Sequence, residues 1–181
     1  MPPSRERGRK QAMHYHQYYP VDVINGPGTR ATLFVSGCEH QCPGCYNQST
    51  WRLDGGKPFD ETMSDRIIAD LNDSRIKRRG LSLSGGDPLH PANVPHVLAL
   101  VKRVRAECPS KDIWCWTGYL LGELSEAQRE LVALLDVLVD GKYEKALADP
   151  GLLWRGSSNQ QIHDLNAWRD ADERIPCLVC S

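Results

Sequence analysis

The chain has 181 residues, of which 40% are hydrophobic and 25% charged, a balance typical of a globular protein with one domain-sized core. Its formal net charge is −1, and the first twelve residues are basic enough to leave the remainder mildly acidic. This acidic body argues against a nucleic-acid partner, which would require a basic stripe. No apolar run approaches the roughly 20 residues of a membrane-spanning helix, so we expect no membrane span.

The beginning of the chain predicts a leader and a first strand. Residues 1–12 are charged and proline-containing, which predicts a disordered leader, and they lack the apolar segment of a secretory signal. We therefore expect a cytoplasmic protein. The aromatic stretch from Tyr15 to Tyr19 fits either a protein interface or an edge strand. A turn at Asn25–Gly28 precedes a buried strand at Thr32–Val35.

Helices and strands alternate through the rest of the chain. Apolar spacing and capping residues predict three helices, at Met63–Leu71, from Pro91 to Val104, and after a capping box formed by Ser125 and Gln128. Strands are predicted at Leu81–Ser84, Asp112–Trp116 and Val137–Val139. This order predicts an α/β fold of parallel strands with right-handed crossovers and a site at their carboxyl ends. A complete eight-unit barrel needs about 250 residues, so we expect a partial (β/α) barrel or an open sheet.

Three of the seven cysteines form the pattern C-x3-C-x2-C at Cys38, Cys42 and Cys45. Structural zinc sites normally have four protein ligands, whereas a [4Fe-4S] cluster held by three cysteines keeps one iron open. The spacing alone leaves two alternatives, a zinc site completed by His40, Cys108 or Cys115, or three unrelated buried thiols. If an iron–sulfur cluster is present, His40 is expected to be an exposed loop residue, and Cys108 and Cys115 to be half-buried thiols of the scaffold.

A second motif, Ser84-Gly85-Gly86-Asp87-Pro88, follows a predicted strand. Paired glycines let backbone atoms approach a ligand closely, although such a pair before Asp-Pro is usually only a turn.

Together the two motifs resemble the radical S-adenosylmethionine superfamily, with Asp87 where most members have glutamate. Within it, the chain from Met13 to Leu165 resembles the activating proteins of anaerobic ribonucleoside-triphosphate reductases. The further segments that carry this resemblance are Tyr15–Pro20, Asn25–Arg30, Ser36–Trp51, Trp116–Tyr119 and Trp154–Gln160.

The resemblance implies a partial barrel of the radical S-adenosylmethionine type over residues 13–165, followed by a tail, 166–181, of uncertain order. It implies one [4Fe-4S] cluster held by Cys38, Cys42 and Cys45, with S-adenosylmethionine on the open iron. The residues implied to contact S-adenosylmethionine are Gly44, Cys45, Tyr46, Gly85, Gly86 and Asp87. A reduced flavodoxin- or ferredoxin-type protein would donate the electron. The resulting 5′-deoxyadenosyl radical would take a hydrogen from a glycine of the large subunit of the reductase, leaving a glycyl radical.

Two other functions remain open from the sequence. One is activation of another glycyl radical enzyme, of the pyruvate formate-lyase type, and the other is a non-catalytic zinc or electron-transfer module. Three weaker candidates are the turn Asp140–Lys142 as a cofactor contact, Arg155 as a cofactor or partner contact, and the terminal pair Cys177 and Cys180 as a redox or metal pair. For each of these, a structural or accidental role is the simpler interpretation.

Overall fold

A computed structural model describes residues 12–45 and 47–167 of the chain. It shows a mixed α/β fold in which seven strands form one sheet. The strands are β1 (His14–Asp22), β2 (Arg30–Val35), β3 (Lys57–Pro58), β4 (Gly80–Gly85), β5 (Asp112–Trp116), β6 (Val137–Asp140) and β7 (Gln161–Asp164). The helices are α1 (Glu61–Asn72), α2 (Val94–Glu107) and α3 (Glu126–Val132), with short 3-10 turns at Gln48–Thr50, Leu121–Glu123 and Lys145–Leu147.

The sheet order is β3-β1-β2-β4-β5-β6-β7. The four central strands β2, β4, β5 and β6 are parallel, as the alternating pattern predicts. The prediction of parallel strands is wrong at both sides of this centre, where β1, β3 and β7 pair antiparallel. The physical reason is that β1 reaches β2 through a short turn rather than through a crossover helix, so the chain reverses direction.

The predicted helices are present, with one difference in where a helix begins. Ser125 and Gln128 form the predicted capping box of α3. Helix α2 begins at Val94 instead of Pro91, and Pro95 is the proline of its first turn. Residues 91–93 form a turn, and the side-chain amide of Asn93 donates to the backbone carbonyls of Ser36 and Asp87 at 2.8 and 3.1 Å.

The two faces of the sheet are buried in different ways. Alternate strand residues pack against the three helices in the main hydrophobic core, as expected for side chains that point to opposite faces. These residues are Ala31, Leu33, Val35, Leu81, Leu83, Ile113, Cys115 and Leu138. The intervening residues form a second, smaller core of Trp114, Val137, Val139 and Ile162, against which Trp116 and Trp154 pack.

The amino ends of the parallel strands are joined by a buried arginine. Arg30 has no exposed surface, and it pairs with the carboxylate of Asp112 at the start of β5. Its Nε donates to the Ser82 hydroxyl at 2.7 Å and its Nη2 donates to the Leu81 carbonyl at 3.1 Å. This end of the sheet is therefore held by a network of polar side chains whose hydrogen bonds stay within the protein.

The carboxyl ends of the same strands meet at the opposite edge, where Val35 of β2 lies in register with Gly85 of β4. None of the helices in the described parts of the chain is long and apolar enough to cross a membrane. The predicted leader, apart from residue 12, and the tail from residue 168 lie outside the described residues.

Candidate functional site

A cavity of about 150 Å³, here called the small cavity, lies at the carboxyl ends of the four parallel strands. Each strand contributes the residues that directly follow it, because these ends meet at one edge of the sheet. The lining includes Cys38 after β2, the segment Ser84–Asp87 at the end of β4, Thr117 and Gly118 after β5, and Gly141 after β6. The site therefore lies where the alternation of strands and helices predicts it.

The three clustered cysteines lie on one loop, here called the cysteine loop (residues 36–51). Two backbone hydrogen bonds close its base, from the Gly37 N–H to the Thr50 carbonyl at 2.6 Å and from the Cys38 N–H to the Trp51 carbonyl at 3.0 Å. Gly37 has φ +104°, a conformation that favours glycine, so the chain can turn sharply as it leaves β2. All three cysteines line the small cavity.

The thiols are partly buried, and this affects their ionisation. Burial raises the pKa of Cys38 to about 11, although backbone N–H groups in the loop oppose the shift, and the charge of Asp87 adds to it. Burial also raises the pKa of Cys42. Metal ligation requires thiolates, so loading this site with iron releases protons.

The lining of the small cavity fits an iron–sulfur cluster in its chemistry. Three thiols are the ligands that iron–sulfur clusters use, and the backbone N–H of Asn47 already donates to the Cys45 sulfur at 3.4 Å. The indole Nε1 of Trp51, a residue that lines the cavity, is buried and has no hydrogen-bond partner within the described residues. No group of three or more His, Cys, Asp or Glu side chains in residues 12–45 and 47–167 is arranged to hold a metal ion as it stands.

The two glycines of the second motif allow β4 to approach the cysteine loop. A Cβ on Gly85 would come within 2.5 Å of the Val35 carbonyl oxygen, and one on Gly86 within 2.5 Å of the Gly37 oxygen and 2.8 Å of the Thr50 oxygen. The sequence interpretation gave a cofactor as the reason for these glycines. In the structure, the chain's own backbone already requires them, since Gly86 packs directly on the base of the cysteine loop.

Asp87 is buried, with 1% of its surface exposed. Its Oδ1 accepts hydrogen bonds from the Leu89 N–H at 2.9 Å and the Thr117 hydroxyl at 2.8 Å. Its Oδ2 accepts from the Gly118 N–H at 2.9 Å and lies 2.6 Å from Nε2 of His40. The expectation that His40 is an exposed loop residue is wrong, because its side chain is only 5% exposed and is held by this carboxylate.

The structure brings most of the predicted site residues together. Cys38, Cys42 and Cys45 share the small cavity with Gly85, Gly86 and Asp87. Gly44 does not line this cavity. It has φ +76° and lies against the side chains of Lys145 and Tyr143. Tyr46 lies outside the described residues.

A second and larger cavity, of about 590 Å³, adjoins the first and is here called the large cavity. The two cavities share five lining residues, Cys45, Asn47, Trp116, Tyr143 and Gln160. Sequence reasoning placed Trp116 and Gln160 only in segments that carry a resemblance and did not name Asn47 or Tyr143 as site residues. Their positions depend on how loops from distant parts of the chain meet, for which the sequence gives no spacing signal.

The weaker candidates have separate positions. The Asp140 carboxylate accepts from the Leu121 N–H at 2.8 Å and lies 3.0 Å from Nε2 of His163, whereas only Gly141 of its turn lines the small cavity. Arg155 lines the large cavity and donates to the Gln160 carbonyl at 2.8 Å.

The other cysteines are not at this site. Cys108 and Cys115 lie in the main hydrophobic core, more deeply buried than predicted. Cys177 and Cys180 lie outside the described residues.

The chain is similar to proteins of one family. Residues 24–163 match the family described as "4Fe-4S single cluster domain". A protein of Salmonella typhi is 69% identical over 153 residues, covering 84% of this chain and 99% of that protein. One of Vibrio cholerae is 68% identical, covering 83% and 97%, and one of Enterobacteria phage T4 is 45% identical, covering 88% and 96%. All three are named anaerobic ribonucleoside-triphosphate reductase-activating protein, and on this similarity the chain belongs to the family of anaerobic ribonucleoside-triphosphate reductase-activating proteins.

Proposed function

We propose that this protein is an iron–sulfur activating enzyme that cleaves S-adenosylmethionine reductively and generates the glycyl radical of an anaerobic ribonucleoside-triphosphate reductase. The observation that carries the proposal is the small cavity, in which three cysteines of one loop face the Ser84–Asp87 segment at the carboxyl ends of parallel strands. Membership of the family favours the reductase over a pyruvate formate-lyase type partner, and the match to a 4Fe-4S domain favours iron–sulfur over zinc.

In this proposal, Cys38, Cys42 and Cys45 hold a [4Fe-4S] cluster and leave one iron open. When bound, such a cluster supplies the electron that breaks the sulfonium C–S bond of S-adenosylmethionine, which yields methionine and a 5′-deoxyadenosyl radical. The sheet is proposed to be the partial barrel of radical S-adenosylmethionine enzymes.

The protein's own residues position the reactants and limit access of water. Two backbone bonds close the base of the cysteine loop, and the Asp87 N–H attaches that base to the segment after β4 by donating to the Gly37 carbonyl at 2.7 Å. The Ser84–Gly86 wall lines the same cavity as the thiols, and its two glycines carry no side chain, so its backbone atoms are the groups proposed to contact S-adenosylmethionine. The aromatic side chains of Trp51, Trp116 and Tyr143 make the remaining walls less polar and disfavour bulk water beside a reactive radical.

The proposed partners are the large subunit of the reductase, whose glycine gives up a hydrogen atom, and a reduced flavodoxin- or ferredoxin-type electron donor. A cytoplasmic location is part of the proposal, because free thiols persist in reducing compartments.

The experiment is anaerobic reconstitution of the full chain with iron and sulfide, followed by reduction and EPR spectroscopy with and without S-adenosylmethionine. We expect a [4Fe-4S]⁺ signal that S-adenosylmethionine perturbs, together with 5′-deoxyadenosine as a product. Adding the reductase should then give a glycyl radical signal, whereas a pyruvate formate-lyase type enzyme should not. Stoichiometric zinc with no iron–sulfur cluster would contradict the proposal and favour a binding module.

A further inference from the structure

We propose that Asp87 is a positioning residue that holds the cysteine loop against the carboxyl end of β5 through His40, instead of contacting S-adenosylmethionine with its carboxylate. This role rests on the proposed function only for the identity of what the cysteine loop binds. It differs from the sequence interpretation, in which Asp87 is one of the cofactor contacts.

The first argument is that the carboxylate is already saturated. A carboxylate offers about four acceptor sites, two on each oxygen. Oδ1 of Asp87 accepts from Leu89 and Thr117 at 2.9 and 2.8 Å, and Oδ2 accepts from Gly118 at 2.9 Å, lies 3.0 Å from the Thr117 hydroxyl and lies 2.6 Å from Nε2 of His40. Within the described residues these contacts use the full set, so an ammonium group of a ligand would have to displace one of them.

The second argument is that the partners of Asp87 come from different segments. His40 lies between two of the clustered cysteines, Thr117 and Gly118 follow β5, and Leu89 precedes α2. The carboxylate is therefore the point at which the cysteine loop, the end of β5 and the turn before α2 are joined. Hydrogen bonds to a buried charge are among the stronger ones, and leaving one partner unpaired costs about 1–3 kcal/mol.

The third argument is that the packing around His40 leaves room for little else. A Cβ on Gly118 would lie 2.4 Å from Cδ2 of the His40 ring, so this position requires a glycine for the ring to reach Asp87. The ring also packs edge-on against Tyr119, with centroids 4.4 Å apart. The Tyr119 hydroxyl in turn donates to the carboxylate of Glu39, which gives the cysteine loop a second attachment beside the first.

The contact through His40 explains why an acidic residue is needed after the glycine pair. The backbone N–H of Asp87 donates to the Gly37 carbonyl at 2.7 Å, so the main chain of Asp87 is attached to the start of the cysteine loop. Its side chain extends the same attachment to the middle of the loop, between Cys38 and Cys42. In this proposal, the link restrains the segment between these two thiols before a cluster is loaded.

The test compares Asp87→Asn, His40→Gln and Thr117→Val with the unmodified full chain, by hydrogen–deuterium exchange without iron and without S-adenosylmethionine. We expect exchange of the amides in residues 38–44 to rise at least tenfold in Asp87→Asn and His40→Gln, and by a smaller factor in Thr117→Val. Amides in the middle of β2 and β4 should be unchanged. The double variant Asp87→Asn/His40→Gln should exchange no faster than Asp87→Asn alone, because both changes break one link.

A control variant, Ser125→Ala, removes a hydrogen-bonding side chain at the start of α3, where its hydroxyl accepts from the Gln128 N–H. It should raise exchange only in α3. If Asp87→Asn does not fold, His40→Gln and Thr117→Val decide the question by the same measurement.

The reconstituted enzyme gives a second readout. A positioning role predicts that Asp87→Asn lowers kcat for 5′-deoxyadenosine formation at least tenfold while KM for S-adenosylmethionine changes less than threefold, with an altered EPR line shape of the reduced cluster. Unchanged exchange in residues 38–44 together with a tenfold higher KM and the same kcat would overturn the proposal and make Asp87 a direct ligand. If the unmodified chain forms no deoxyadenosine, the proposed function fails, but the exchange result still tests the link.

Discussion

Arg30 is the largest polar side chain in the described part of the chain that is fully buried, and it illustrates how single residues stabilise this fold. Its guanidinium group pairs with Asp112, donates to Ser82, and lies 5.8 Å from the centre of the Trp114 ring. These contacts lie within the first three residues of β4 and β5.

We therefore expect Arg30→Met to lower the free energy of unfolding by about 3 kcal/mol, because it removes the buried partner of Asp112 and the Nε–H donor to the Ser82 hydroxyl. Urea unfolding followed by circular dichroism measures this change. Arg79→Met is the matched control: Arg79 also pairs with Asp112, at 3.3 Å, but its side chain is 61% exposed. Its loss should cost less than about 1 kcal/mol. Equal effects of the two variants would contradict the interpretation.

The described cysteines form two groups, those that line the small cavity and those in the hydrophobic core. Cys42→Ala should abolish cluster loading and 5′-deoxyadenosine formation while the free energy of unfolding of the apoprotein changes little, because Cys42 is outside the hydrophobic cores. Iron and sulfide content, EPR and product analysis measure this. Cys115→Ala should do the opposite: it keeps the cluster and costs about 1 kcal/mol of stability through the small space it leaves in the core. Cleavage at an undiminished rate in Cys42→Ala would remove this residue from the ligand set.

At the residue scale, the sequence predicts which residue types matter better than it predicts what they touch. The spacing of Cys38, Cys42 and Cys45 is local, and the structure places these residues in one cavity with the glycine motif. The environment of His40 is not local, because its partner Asp87 lies 47 positions further along the chain. No pattern within the cysteine loop indicates that contact, and the expectation of an exposed histidine was wrong for this reason.

Among the elements, the end of β4 is tightly constrained. Gly86→Ala should destabilise the protein by more than about 2 kcal/mol, because the added methyl group would meet the carbonyl oxygens of Gly37 and Thr50 at 2.5 and 2.8 Å. Thermal unfolding of the protein without iron or cofactor measures this. Gly122→Ala is the control, since a Cβ at that position has no atom within 4 Å. A Gly86→Ala variant that keeps full stability and loses only affinity for S-adenosylmethionine would show that the cofactor, not the chain, requires this glycine.

The turn between β1 and β2 contains a carboxylate with a lowered pKa. Burial alone would raise the pKa of Asp22, but hydrogen bonds from the Thr32 hydroxyl, the Asn25 amide and the Ile24 N–H outweigh this effect. A group with a lowered pKa stabilises the fold above its unfolded value of 3.8, and this contribution is lost as the pH falls through the folded value.

Asp22→Asn should therefore reduce stability at pH 7, and the difference from the unmodified chain should shrink at pH 3. Urea unfolding at the two pH values checks this. Asp54→Asn, at an exposed carboxylate that pairs with Arg52, should have little effect at either pH. A difference for Asp22→Asn that grows on acidification would contradict the assignment.

The elements themselves were largely predictable from sequence. Periodic apolar residues predict α1, α3 and the central strands. An element that buries one face repeats its apolar residues at its own structural period. The beginning of α2 was missed by three residues, since Asn93 acts as a bridge between Ser36 and Asp87 and no local signal records this. Strands β3 and β7 are only two and four residues long and depend on partners that are distant in sequence.

On the scale of the whole molecule, the sheet separates the Arg30 network from the small cavity. Arg30 and Val35 lie at opposite ends of β2, five residues apart, or about 16 Å at 3.3 Å per residue. The polar network is at one end and the small cavity at the other. Parallel strands make this separation possible because all of their carboxyl ends lie on one side.

This separation predicts additivity. The effects of Arg30→Met and His40→Gln on the free energy of unfolding should add to within about 0.5 kcal/mol, because the two sites share no partner. Denaturant unfolding of both single variants and the double variant measures the sum. A deviation above about 1 kcal/mol would mean that the two ends of the sheet are energetically connected.

The overall α/β class and the position of the site follow from the alternation of helices and strands, which is a property of the whole sequence. The mixed character of the sheet does not follow from it. Strand β1 pairs with β2 along its length and β7 pairs with β6, so the strands added outside the parallel centre run antiparallel to it. The direction of such a strand is decided by the length and course of the connecting chain, which an apolar pattern does not encode.

The five residues that line both cavities have a thermodynamic consequence. A molecule in the small cavity would contact Trp116 and Tyr143. These side chains also form part of the wall of the large cavity. Any shift of these side chains then changes the free energy of binding in both cavities. Thermodynamic linkage requires that each ligand change the binding free energy of the other by the same amount. A ligand of the large cavity that tightens binding of S-adenosylmethionine tenfold must itself bind tenfold more tightly when S-adenosylmethionine is present.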